Sequence, residues 1–183
     1  MATWLRRPSR LAVVAISGIA ILVGGCGGRG SIGGPRPSQT EALPSYSLAI
    51  ADARGQVARA LASDGLQLQD ARQPFRPAES AALASAPRGI FQVVLPDDPG
   101  HGFIVIYEFR DEASAAAAGR EQAAYLGSGP GRVQFPPDTQ HVIRQSGTVL
   151  ITYSWSAANS TDVRAPAILT DLATVGTDIA VPR

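Results

Sequence analysis

The chain has 183 residues, with sixteen arginines and no lysine set against fifteen carboxylates, and it has a single cysteine. One cysteine excludes an intramolecular disulfide, and a near-neutral balance without an arginine cluster in the body of the chain leaves no electrostatic footprint for nucleic acid. The length suits one ordinary domain, not two.

Arg6, Arg7 and Arg10 precede an uncharged run from Leu11 to Val23, which closes on Val23-Gly24-Gly25-Cys26. A positive region, an apolar stretch and a small-residue cleavage site are the parts of an export signal. The ending resembles the lipobox of bacterial lipoproteins, an aliphatic residue followed by two small ones and a cysteine. The resemblance covers those four residues and the regions before them. It implies removal of residues 1–25, a diacylglycerol on Cys26, acylation of the new N-terminus, and a membrane anchor on the extracytoplasmic side. Two other readings stand beside it. One is an ordinary secretory signal in which Cys26 is incidental. The other is an uncleaved anchor, because Leu11–Gly28 approaches the roughly 20 residues of a bilayer span. Four glycines in its last five positions oppose a spanning helix. With either anchor the leader arginines stay cytoplasmic and the rest lies outside. Without them, thirteen arginines face fifteen carboxylates, a net of −2.

Residues 26–45 then form a lipidated cysteine and a flexible tether, rich in Gly, Pro and Ser without apolar periodicity. A flexible linker of this length reaches about 25 Å. A single α+β domain is expected over 46–183. Ile50, Val57 and Leu61 recur at helical spacing between Ser47 and Asp64, and Gly65 is placed as a stop. Leu66–Gln69 reads as a short strand and Glu79–Ala84 as a brief helix. Ile90–Leu95 and Phe103–Phe109 form a hairpin joined by turn-forming residues, and the second strand is apolar on both faces over most of its length. Asp111 caps a helix through Leu126 that ends at Gly127, and 128–138 is a long loop. Gln140–Arg144 and Thr148–Trp155 form a second hairpin. Asp162 or Ala165 starts a last helix through Val175, with Gly176 as its end. The order α-β-β-α-β-β-α predicts an antiparallel sheet of four to five strands with helices packed on one face, broadly ferredoxin-like in layering.

Chemistry is sparse. Asp97, Asp98 and His101 fall in one turn and could in principle hold a cation, yet Asp, Pro and Gly are what a hairpin connection uses for backbone reasons alone. The cysteine that a zinc site would recruit is already committed, so no metal and no cofactor is expected. His141 has no motif around it. Gly127–Arg132 is glycine-rich but follows a helix and lacks the Gly-Lys-Ser/Thr of a phosphate loop. No serine-hydrolase elbow or zinc-protease motif occurs. Glu108 interrupts an apolar strand, and the reading places it on a sheet face away from the helices, beside Thr152 and Ser154.

Two functions follow as expectations. The first is a noncatalytic envelope lipoprotein whose domain engages a protein or surface polymer through that sheet face or the 128–139 loop. The second is a small-ligand-binding or hydrolytic domain using the 97–101 turn. The second requires His101 to lie at a pocket and near another ionisable side chain. Nothing in the sequence specifies an oligomeric state.

Overall fold

In the computed structural model, which describes residues 45–182, the Ser47 hydroxyl accepts a 3.2 Å hydrogen bond from the Ile50 N–H and caps helix α1 (Leu48–Ala62). Such a cap satisfies one of the donors that every helix start leaves without an intrahelical partner. The leader 1–25, Cys26 and the tether as far as residue 44 lie outside the described residues. No helix among the described residues is long and apolar enough to cross a membrane.

After α1 come the strand β1 (Leu68–Asp70) and the short helix α2 (Ala81–Ala84). The expected hairpins are β2 (Arg88–Val93) with β3 (Phe103–Glu108), and β4 (Gln140–Ser146) with β5 (Val149–Trp155). Between them runs α3 (Glu112–Gly127), whose Asp111 cap accepts from the Ser114 N–H at 2.7 Å. The stretch expected to be a plain loop contains one helical turn, α4 (Gly129–Arg132). The last helix is α5 (Ala165–Ala173), followed by a two-residue strand, β6 (Thr177–Asp178).

The fold is α+β, and every strand pairing is antiparallel, in the order β1-β2-β3-β5-β4-β6. The sheet therefore has six strands where four to five were expected. The addition is β6, too short to carry any alternation. It is held because Arg144 of β4 reaches across the end of α5. Its guanidinium donates at 2.8 Å to the carbonyls of Ala173, Val175 and Gly176, and at 3.1 Å to Asp178. A cation at a helix C-terminus meets both unsatisfied carbonyls and the negative end of the dipole.

The expectation of helices on one face is corrected. One core joins Ile50, Val57 and Leu61 of α1 and Ile168 and Leu172 of α5 to Ile104, Ile106 and Ile151. The other joins Ala115, Ala118 and Leu126 of α3 to Val105, Tyr107 and Leu150. The sheet lies between two helical layers. Its central strands must therefore be apolar on both faces, and β3 and β5 are.

The register also moves Glu108. It stands opposite Val149, on the face of Ile104 and Ile106, whereas Thr152 pairs with Val105 on the other face. Glu108 is a partly exposed strand end on the α1–α5 side and no neighbour of Thr152 or Ser154.

Candidate functional site

Small side chains on α3 let its N-terminal half lie close to the sheet. Toward its C-terminus Ala123 and Leu126 still join the core on that face, and Gln122 and Leu126 also border open space. A cavity of about 310 Å³ opens there, at the low end of the roughly 300–1,000 Å³ of small-molecule sites. It wraps the end of the sheet where β3 and β4 begin and β5 runs out.

Four segments build the wall. The sheet supplies Phe103, Val105, Thr152 and Trp155, and α3 supplies Gln122 and Leu126. Phe135, Pro136 and Thr139 come from the stretch after α4, which also walls a wider, open hollow on the side of Val133 and Val181. The fourth segment is the irregular strap 71–80. Phe75 stacks on Phe103 with ring centroids 4.3 Å apart and planes 8° from parallel. Buried Gln122 pins the strap, accepting from the Ser80 N–H at 2.7 Å and donating to the Ala78 carbonyl at 2.8 Å.

The 97–101 turn closes one side. Its His101 lines the cavity, with Nδ1 2.5 Å from Asp98 Oδ1. Asp98 is only 6 % exposed and also accepts from the Ser160 hydroxyl at 2.9 Å. Burial pushes its carboxyl up, but the hydrogen bonds from His101 and Ser160 outweigh that and hold it below the usual carboxylate range. An ionised carboxylate only accepts, so Nδ1 of the half-exposed ring donates to it. Asp97 contributes no ligand. Its main chain instead joins the 156–164 loop, the carbonyl accepting from Thr161 at 2.6 Å and the N–H donating to Asp162 at 3.4 Å.

The pattern Ser160–Asp98–His101 has the carboxylate in the middle. A catalytic serine needs the imidazole between itself and the carboxylate, whereas Ser160 donates to the carboxylate itself. Among the described residues no three His, Cys, Asp or Glu side chains gather as a cation site. His141 makes a 2.8 Å contact from Nδ1 to the Ser154 hydroxyl across β4 and β5. Burial lowers its pKa and favours the neutral ring, but none of the described hydrogen bonds brings a carboxylate to its other nitrogen. The order Ser160–Asp98–His101 is therefore not that of a serine triad.

Trp155 and Thr139 line the cavity, and Trp155 Nε1 and Thr139 Oγ1 are buried without a hydrogen-bond partner among the described residues. Leaving such a group unpaired costs about 1–3 kcal/mol.

His101 thus meets the two conditions set for it, a pocket and an ionisable neighbour. The 128–139 segment meets the same cavity, so two loops singled out separately converge on one site. Asp97 and Glu108 do not belong to it. Trp155, Gln122 and the strap residues Phe75 and Arg76 were missed. Trp155 at the end of a strand was the only one with a sequence signal, since an indole there needs a polar partner. Comparisons of the chain with protein-family models, with curated proteins and with solved structures find no match.

Proposed function

We propose that the chain is an extracytoplasmic lipoprotein, anchored in the cell membrane through a lipid on Cys26, whose single domain is a noncatalytic binding module for a small ligand. The observation that supports it best is the cavity at the end of the sheet, walled by Phe75, Phe103, Phe135 and Trp155. A protein or polymer partner reading drew on an open sheet face, and helices cover both faces. The 128–139 segment, its other proposed contact, forms part of the cavity wall.

The anchor and the cavity are tested separately. Intact mass of the full chain expressed in bacteria and recovered from membranes should match a chain starting at Cys26 plus diacylglycerol. The Cys26→Ser variant should lose that mass. An unlipidated wild-type protein overturns the anchor.

Trp155 serves as the reporter for the cavity, because Trp4 is the only other tryptophan and leaves with the leader. Anilinonaphthalene sulfonate should quench Trp155 saturably with one-to-one stoichiometry. Ser154→Phe, a change at an exposed wall position, should abolish this while the thermal transition stays in place. Quenching that never saturates, or that survives the filled cavity, overturns the binding module.

A further inference from the structure

We infer that the ligand is an amphipathic monocarboxylate, an apolar or aromatic body carrying one acidic head. The inference rests on the proposal that the cavity is a ligand site, and it is drawn from the polarity of the wall.

The body of the ligand follows from the rings. Phe75, Phe103, Phe135 and Trp155 surround the space together with Val105 and Leu126, which suits an acyl chain or a flat ring and nothing heavily hydrated.

The head follows from the polar groups still free to act. Gln122 is spent on the strap, Ser156 donates to Asp138 at 2.7 Å, and the Ser154 hydroxyl lies 2.8 Å from the His141 ring nitrogen. Asn159, Gln134 and Thr152 on the wall are neutral and can accept as well as donate, so the charged side chain decides the head. Arg76 lies at the wall, exposed, and makes no ion pair among the described residues. A guanidinium can neither accept nor lose its charge, and its fork matches a carboxylate.

No Asp or Glu side chain lines the cavity. The nearest by structure, Asp98 behind His101 and Asp138 behind Ser156, are already held by their own donors. A wall that holds an arginine without an ion-pair partner among the described residues, and no carboxylate, selects against a cationic ligand and in favour of an anionic head.

The test is calorimetric titration of the full-length protein with two matched pairs, decanoate against decanol and indole-3-acetate against indole. Each carboxylate should bind at least tenfold more tightly than its neutral partner, and Arg76→Gln should bring it down to the neutral level. The tighter of the two acids separates an acyl-chain source from an aromatic one. Equal affinities within both pairs, or a preference for the acids that survives Arg76→Gln, overturn the carboxylate assignment and leave the binding module standing. If anilinonaphthalene sulfonate also fails to bind, the module itself falls.

Discussion

Gly176 carries φ of +56° where α5 turns back into β6, and a Cβ at this position would fall on the carbonyl of Gln145 in the neighbouring strand. Backbone cannot swing aside as a side-chain tip can. Gly176→Ala should therefore lower stability by about 2–4 kcal/mol, combining the left-handed penalty with a displaced strand, read as a shifted midpoint in urea. Gly65, also at positive φ but with open space around it, is the control. Its alanine variant should cost about 1 kcal/mol. Both glycines are legible in sequence as helix stops. The difference between them is not, because it depends on which strand passes behind. Arg144 shows the same limit. A single arginine in an alternating strand gives no hint that three carbonyls of a distant helix end await it.

Elements were legible where periodicity was strong. The two hairpins and the helices capped by Ser47 and Asp111 lie within a residue or two of where the spacing predicts. The side of the sheet on which α3 packs was not legible. Alanines run along much of that helix, so no stripe marks a buried face, and β3 is apolar on both faces whichever side is covered. The pairing of α1 with α5 carries a testable liability. Asp171 of α5 is buried against the end of α1, with one oxygen 3.4 Å from the Ser63 hydroxyl and the other unpartnered among the described residues. Burial raises its pKa, and the Asp64 charge raises it further. A carboxyl raised in the fold binds more protons there than in the unfolded chain, so its contribution worsens as pH climbs from the unfolded value of about 3.9 through the folded one. Asp171→Asn should make the protein more stable than wild type at pH 7, with the two urea midpoints converging near pH 3. A gain that is the same at both pH values would mean that packing, and not charge, is responsible.

At the scale of the whole molecule, the cavity exists because β5 lies between β3 and β4. That order brings the 97–101 turn, the strap and the 128–139 segment to one end of the sheet. Each loop announces itself through Pro, Gly and Asp, but their meeting is a property of strand order, which local patterns do not encode. Two buried aspartates hold that end together. Asp98 ties the turn to Ser160, and Asp162, its carboxylate fully buried, accepts from Arg164 at 2.7 Å and from the Asp97 N–H at 3.4 Å. The Arg164 hydrogen bond pulls Asp162 far below the usual carboxylate range, while Asp98 is lowered despite its burial. A carboxyl lowered in the fold stabilises above the unfolded pKa of about 3.9, and that stability drains away as pH falls through the folded value. Below about pH 4 the 156–164 loop should part from the turn while the two helix–sheet cores, built of apolar contacts, persist. Trp155 sits at that end, so its emission in the anchored protein should shift to the red at a higher pH than the loss of far-ultraviolet circular dichroism. Asp162→Asn should show the red-shifted emission already at pH 7 and flatten its acid dependence. Coincident emission and dichroism transitions in both proteins would mean that the two loops are part of one cooperative unit with the cores. Binding at the cavity would then be coupled to global stability and not to a local opening.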